Sequence, residues 1–228
     1  MKHVVVLTGA GISAESGLKT FRDADGLWEG HDVMEVASPQ GFRANPELVF
    51  DFYNQRRRQL LKVEPNAAHF ALANLEQIHK VSIITQNVDD LHERAGSQNV
   101  LHLHGELFKV RSTYDELDVK EWKSDLLLGD KCQKGYQLRP HIVWFGEAVP
   151  MIPKAISICE TADILLIIGT SMQVYPAASL MNYVSSETKI FYIDPKPAIE
   201  SNYQIKVISK PATLGVKHVI NTYINPIK

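Results

Sequence analysis

The segment Val4-Val5-Val6-Leu7-Thr8-Gly9-Ala10-Gly11-Ile12-Ser13-Ala14 decides the fold class. Its first four residues are apolar and mostly β-branched, with no polar alternation. They read as a strand buried on both faces, the setting of a parallel sheet. That strand runs directly into Gly9-Ala10-Gly11-Ile12-Ser13-Ala14, a G-x-G-x-x-A spacing. Glycines there permit close backbone approach, and a helix opening behind them can hold a pyrophosphate at its N-terminus. A tight strand-to-helix turn that holds no ligand carries the same spacing, so the neighbouring sequence has to decide.

Three further runs share the character of the first: Val81 to Ile84, Ile164 to Ile168 and Lys189 to Ile193. Helical stretches separate them, such as Ala67 to His79 after the turn at Pro65-Asn66, and Pro153 to Glu160. The alternation predicts an α/β protein with a doubly wound, mainly parallel, Rossmann-like sheet. Each strand exits into polar or glycine-containing sequence: Thr8-Gly9-Ala10-Gly11, Thr85-Gln86-Asn87, Gly169-Thr170-Ser171 and Asp194-Pro195. The ligand crevice of such a sheet lies at those carboxyl ends. Two stretches break the pattern. Thr20 to Val63 is mainly helical and punctuated by Gly26, Gly30, Pro39 and Pro46, and Phe108 to Leu138 is charged and irregular. Both are assigned to a smaller inserted lobe. The result is one domain, 1–228, with a large lobe of roughly 1–19, 64–107 and 139–228 and a small lobe of roughly 20–63 and 108–138.

Bulk properties agree with an ordinary globular chain. It has 228 residues, 45% of them apolar and 22% charged, enough to bury a sizeable core. A formal net charge of -2 gives no electrostatic reason to expect nucleic acid or an anionic membrane as partner. The apolar runs are far shorter than the roughly 20 residues of a membrane span. Lys2 followed by Val4 to Leu7 breaks at once into Thr8-Gly9, too short for a signal peptide. Two cysteines, Cys132 and Cys159, make a disulfide framework a poor reading and favour a reducing cytoplasm.

A nicotinamide-dependent dehydrogenase needs a second strand ending in Asp or Glu about 20 residues beyond the glycines. Asp23 and Asp25 lie near that distance, but Lys19-Thr20-Phe21-Arg22 before them is no buried strand. The loop continues instead as Glu15-Ser16-Gly17-Leu18-Lys19-Thr20-Phe21-Arg22-Asp23, and here the sequence resembles the sirtuin family. Thr85-Gln86-Asn87-Val88-Asp89, Leu103-His104-Gly105-Glu106, Val143-Trp144-Phe145-Gly146-Glu147 and Gly169-Thr170-Ser171 follow in the sirtuin order. The resemblance implies an NAD-dependent protein-lysine deacylase, which cleaves nicotinamide from NAD, captures the ribose carbon with the acyl oxygen and releases lysine and O-acyl-ADP-ribose. Acylated-lysine proteins or peptides are the implied partners.

One well-placed base is needed, and a histidine titrating near pH 6.5 can take a proton from a ribose hydroxyl at neutral pH. His104 matches the family position. His102, two residues earlier and on the same strand face, is the nearest competitor and is read as a supporting group. Gln86, Asn87 and Asp89 offer amide and carboxylate groups at a strand end; by resemblance Asn87 orients ribose and Asp89 reads the carboxamide. The same residues also suit a polar turn capping the next helix. Gly9, Ala10, Gly11, Ile12, Ser13, Gly169, Thr170 and Ser171 complete the expected NAD crevice. Arg22 offers a fork of donors for phosphate or ribose oxygens, Phe21 is a candidate lid over the reactive ribose, and Asp194 suits the adenine ribose, although many sirtuins carry Asn there.

Asn45-Pro46-Glu47 is a helix start, an N-cap followed by proline at the first helical position. Val49, Tyr53, Arg56 and Leu60 then share one stripe, while Arg57 and Arg58 point elsewhere. A charge on an apolar stripe needs a partner, so Arg56 reads as an anion ligand, against the alternative that three consecutive arginines are a solvated face. Tyr-x-x-Arg resembles the mark of sirtuins that remove succinyl, malonyl or similar acidic acyl groups, and Ala37 resembles the small residue that makes room for them. Val143, Phe145 and Gly146, with Met172 to Tyr175, resemble the strands between which an extended substrate peptide lies.

The family pattern breaks at its metal. Most sirtuins bind zinc on two C-x-x-C pairs; here Ser112 and Asp115 stand at the first pair, and the second region offers only Cys132-Gln133-Lys134-Gly135. A four-cysteine site is excluded by ligand count, so no metal is expected. Burial of Tyr114, Leu117, Trp122 and Leu126 to Leu128 is expected to stabilise the lobe instead. Two other readings stay open: a non-catalytic module that binds NAD or ADP-ribose, and a protein mono-ADP-ribosyltransferase.

Overall fold

The computed structural model describes residues 1–19, 27–28 and 30–225. In chain order the strands are β1 (His3–Thr8), β2 (Leu27–Trp28), β3 (His31–Asp32), β4 (Lys80–Thr85), β5 (Val100–His102), β6 (Gly105–Ser112), β7 (Val119–Glu121), β8 (Leu138–Ile142), β9 (Ile164–Ile168), β10 (Lys189–Ile193) and β11 (Ile205–Ile208). The α-helices are α1 (Val33–Val36), α2 (Pro39–Ala44), α3 (Pro46–Leu60), α4 (Ala67–Leu75), α5 (Leu91–Arg94), α6 (Ile152–Cys159) and α7 (Ala212–Val219). No helix among the described residues is long and apolar enough to cross a membrane.

Six strands form a wholly parallel sheet in the order β11-β10-β9-β1-β4-β5. The chain starts in the middle, winds out to one edge through β4 and β5, then returns to β9 and winds out to the other. That is the doubly wound arrangement expected from the alternating pattern. Because side chains alternate across a strand, Val4, Val6, Leu166 and Ile168 face one core with Leu72 of α4 and Val216 of α7. Val5, Leu7, Leu165 and Ile167 face the other, with Ala155 and Cys159 of α6 and Leu180 of the 3-10 helix Ala177–Tyr183. Burial pushes the Cys159 thiol up to about 12, in keeping with an inert core residue.

The helix expected directly after β1 is absent. Two single 3-10 turns, Ala10–Ile12 and Ala14–Ser16, stand in its place. The dipole of a full helix is therefore not aimed at this loop, and any anion binding there falls to individual backbone amides and side chains.

Phe108 to Leu138, read as irregular, contributes most of a three-stranded antiparallel sheet in the order β7-β6-β8. Its pattern escapes a sequence reading because Arg111 and Arg139 are buried there among the apolar residues. The expected apolar substitutes for metal are mostly misplaced. Leu117 is 92% exposed, Tyr114 65%, and Leu127 and Leu128 are also exposed; only Leu126 is fully buried, with Trp122 packed at the margin. The apolar cluster there is Phe50, Val110, Leu126, Cys132 and Leu138, drawn from α3 and all sides of the lobe. A second cluster joins Val36, Val49, Phe52, Tyr53, Leu107 and Trp144. The start of α3 is as expected, with the Asn45 side chain accepting from Leu48 N at 3.1 Å and Pro46 in the first turn.

Candidate active site

The strand order reverses between β1 and β9, and the loops leaving their carboxyl ends touch. Gly9 N donates to Ile168 O at 3.0 Å, and Gly11 N donates to Gly169 O at 2.8 Å. A Cβ on Gly9 would sit 2.7 Å from the Thr170 Cβ, and one on Gly11 2.6 Å from the Gly169 Cα. The glycines of the motif are thus demanded by one loop lying on another, before any ligand is considered. Together these loops form a backbone-lined floor at the switch point, the position where open parallel sheets take a ligand.

Polar groups converge above that floor. Ser13 Oγ donates to Asp89 Oδ2 at 3.0 Å and accepts from Asn87 Nδ2 at 3.2 Å, which joins the β1 loop to the β4 loop. Gln86 Nε2 donates to Thr170 Oγ1 at 3.0 Å, joining β4 to β9. Burial pushes the Asp89 carboxyl up to about 6, partly offset by the hydrogen bonds from Leu91 N and Ser13. Asp194, at the end of β10, is buried and accepts from Lys196 N at 2.8 Å. Ala10 and Ser171 are partly exposed beside this rim. Phe21 and Arg22 lie outside the described residues.

His104 stands between β5 and β6. Its Nδ1 lies 3.1 Å from Gln86 O, and since a carbonyl only accepts, Nδ1 carries the hydrogen and Nε2 keeps its lone pair. Burial holds this imidazole below its ordinary value, against the contribution of the Gln86 carbonyl. Gly105 next to it has φ +84°, and a Cβ there would collide with the His141 carbonyl; this turn swings the chain from the parallel sheet into β6.

On the far side, α3 presents Tyr53 and Arg56. Tyr53 is fully buried, its hydroxyl accepts from Trp144 Nε1 at 3.0 Å, and burial pushes the phenol well above its ordinary value, so it keeps its own proton to donate. Arg56 is half-buried, with Nη1 donating to Phe52 O at 2.7 Å and the guanidinium 3.8 Å above the Phe52 ring. Val143 N donates to His104 O and Phe145 N donates to Ala37 O, both at 2.9 Å, so those two amides are spent within the fold. Phe145 and Gly146 are exposed, the latter at φ +87°.

A buried imidazole with a free lone pair on Nε2 stands near a glycine-floored switch point rimmed by Ser, Asn, Asp and Gln, and the chain matches the Sir2 family model over residues 9–176. The chain belongs to the Sir2 family. It is 65% identical to an NAD-dependent protein deacylase of Helicobacter pylori over 196 residues, covering 86% of each chain. The solved structure of a mutant Sir2 homologue in complex with ADP-ribose superimposes with a TM-score of 0.86 at 40% identity, covering 100% of this chain and 95% of that one. A Sir2 mutant with a deacetylated p53 peptide and 3'-O-acetyl ADP-ribose gives 0.80 at 29% identity, covering 96% and 93%.

The sequence reading of this Sir2-family chain misplaced one residue and missed a cluster. Arg57, expected to point away from the buried stripe, is 0% exposed; its Nε donates to Leu107 O at 3.0 Å and its Nη1 to Asn54 Oδ1 at 2.6 Å. The α3 face it occupies is covered by β6, which periodicity within α3 does not reveal. The missed cluster is Arg111, Arg139 and Glu147. Glu147 Oε1 and Oε2 take Arg139 at 2.6 and 3.1 Å, Oε2 takes Arg111 at 3.2 Å, and Trp144 N donates to Oε2 at 2.8 Å. Arg139 also lies 3.4 Å over the Trp144 ring, so this cluster fixes the wall behind Tyr53. The Glu147 in the quoted Trp-Phe-Gly-Glu stretch was its only sequence signal. For zinc the side chains do not fit: Cys132 receives a hydrogen bond from Ser112 Oγ at 3.4 Å, and among the described residues no three His, Cys, Asp or Glu groups converge on one ion.

Proposed function

We propose that this Sir2-family chain, an NAD-dependent protein deacylase, uses His104 as general base and prefers lysines carrying succinyl, malonyl or similar acidic acyl groups. The observation that carries the acyl preference is the pairing on α3 of a buried phenol that retains its proton with the Arg56 guanidinium one turn on. Tyr53 Oη–H and the Arg56 fork are donors suited to a distal carboxylate, and each charge-assisted bond contributes about 1.5–3 kcal/mol.

His104 is neutral at pH 7 because burial disfavours its cation, and the Gln86 carbonyl fixes the tautomer that leaves Nε2 as acceptor. Nε2 would accept the proton of a ribose hydroxyl of bound NAD. NAD supplies the ADP-ribosyl acceptor of the acyl group. Gly9 to Ser13 and Gly169 to Ser171 would hold its pyrophosphate, Asn87 would orient the ribose, Asp89 would accept from the carboxamide, and Asp194 would meet the adenine ribose. Val143, Phe145 and Gly146 border an extended acyl-lysine peptide. The small lobe works without zinc, and the chain's two free, buried cysteines, Cys132 in that lobe and Cys159 in the large one, suit a reducing cytoplasm.

The test is to incubate the chain with NAD and matched succinyl- and acetyl-lysine peptides, following nicotinamide and O-acyl-ADP-ribose by mass spectrometry. Arg56→Met is expected to lower kcat/KM for the succinyl peptide about 100-fold while changing the acetyl peptide by a few-fold. Equal losses on both peptides would refute the pocket assignment. Stoichiometric zinc in active protein, found by elemental analysis, would overturn the metal-free lobe.

A further inference from the structure

His102 does more than support a strand. Its Nδ1 lies 2.9 Å from Asn87 O and its Nε2 lies 2.8 Å from Glu93 Oε1. Both ring nitrogens face acceptors, a carbonyl on one side and a carboxylate on the other, and only the doubly protonated ring donates to both. The ring is nearly buried, its side chain 8% exposed. Burial by itself pulls its pKa down, yet the Glu93 hydrogen bond and charge more than offset this, and the net direction is up.

The Asn87 carbonyl held by this ring belongs to the loop that also carries Asp89. We infer that Glu93 and His102 form a positioning pair, holding the Gln86–Asp89 loop by its Asn87 carbonyl and setting the charge state of Asp89 through the cation of His102. The inference rests on the reading that Asp89 accepts a hydrogen bond from the nicotinamide carboxamide. An ionised Asp89 is the stronger acceptor, so whatever favours its anion tightens that subsite.

The surrounding charges leave His102 the main cation acting on Asp89. A cleft of about 200 Å³ opens beside the pair, bordered by Asp89, Asp90, Glu93, His102, Glu106 and Lys109, and brings solvent protons to both groups. From β6, Lys109 is paired with Glu106 at 2.9 Å and reaches Glu121 of β7 at 3.9 Å, so its charge is already met. Lys123 lies at the cleft wall, 5.5 Å from the Phe108 ring. Asp90, next in the loop, pushes Asp89 up, and His92 of α5, its Nε2 3.1 Å from Thr8 Oγ1, is kept neutral by burial. Of these groups, His102 is the one whose charge holds Asp89 down.

Nicotinamide inhibition of the full chain, measured from pH 5.5 to 8.5, tests this. In the wild type nicotinamide affinity is expected to hold steady at high pH and fall as pH drops through about 6, where Asp89 takes a proton. His102→Asn places an amide donor at the Nδ1 position for Asn87 O and removes the charge, and Glu93→Gln weakens the cation at its source. Both are expected to move the fall to higher pH by about 1 unit. A titration of the His102 ring by NMR is expected to show a midpoint above 6.5 in the wild type and a lower one in Glu93→Gln, a second measurement independent of activity. An unshifted nicotinamide midpoint in both variants, with Asp89→Asn still losing affinity at pH 8.5, overturns this inference alone. If Asp89→Asn binds nicotinamide like the wild type at every pH, the carboxamide reading falls and the inference falls with it.

Discussion

In the parallel sheet, the buried side chains of β1, β4, β9 and β10 are apolar, apart from His3 and hydroxyls such as Ser82 and Thr85. The interior of the lobe beside it buries Arg57, Arg111, Arg139 and Asn54. The sheet coheres by area removed from water, about 1.5–3 kcal/mol for each buried Val, Leu or Ile. The small lobe adds to its own apolar clusters a set of buried donors matched to acceptors. Asn54 shows the second mode at its clearest: its amide donates to Leu126 O at 3.0 Å, its carbonyl accepts from Leu126 N at 2.9 Å, and Arg57 Nη1 shares that oxygen. The difference teaches where the two lobes are vulnerable. Truncation in the sheet loses contacts in proportion to size, whereas truncation in the lobe strands a partner, and a stranded buried charge costs more than a missing methyl group.

The largest effect that would break this comparison comes from Glu147→Ala, which leaves Arg111 and Arg139 without their carboxylate. Unfolding in urea should show a loss of about 3–5 kcal/mol. Leu166→Ala, at the centre of the sheet, should cost roughly 3 kcal/mol through transfer and cavity terms. If Glu147→Ala costs less than Leu166→Ala, the polar cluster is not what holds the lobe.

Acid should separate the lobes next. His69 of α4 is fully buried, accepts from Asn66 N at 3.2 Å, and burial lowers it to about 4. A histidine whose folded value lies below its unfolded value of about 6.5 contributes fully above that pH, and the contribution is lost as pH falls through 6.5 toward 4. The large lobe should therefore lose up to a few kcal/mol in that window, at about 1.4 kcal/mol per unit of displacement, and His69→Gln should flatten the curve. Glu147 behaves differently. Burial alone would push it up, but Arg139 and the Trp144 amide hold its carboxyl below the usual carboxylate value. Its contribution is present above about pH 4.5 and disappears only as pH falls below that, through its folded value. Urea midpoints recorded from pH 7 to 3 should show the two losses in that order.

The smallest effect sharpens the contrast between neighbours. Arg58 is about half exposed and sits 3.8 Å from Asp51 and 3.5 Å from Asp125, so Arg58→Ala should cost less than about 0.5 kcal/mol. Arg57→Ala empties a buried site, strands Leu107 O and removes one of the two donors to Asn54 Oδ1, and should cost several times as much in the same urea assay.

The four central strands were legible because an apolar run on both faces needs no partner to be recognised. The edge strands Val100–His102 and Ile205–Ile208 were not, being three and four residues long with polar residues among them. The glycine loop was legible as a strand exit but not as the contact surface of the Gly169 loop, which lies some 160 residues away along the chain. The failed expectation for Leu117, Leu127 and Leu128 has the same origin. An apolar residue is buried only if another element comes to cover it, and none among the described residues does.

What the sequence determined by itself was local and repetitive: the strand-helix alternation, the polar strand exits, the start of α3, and the residue types at the carboxyl edge of the sheet. Tertiary structure alone decided which of three consecutive arginines is sealed inside, which carboxylate answers Arg111 and Arg139, and which tautomer His104 adopts. Those outcomes turn on donors and acceptors brought together from distant segments, and a hydrogen bond's strength depends on geometry and on exclusion of water, neither of which a residue carries alone.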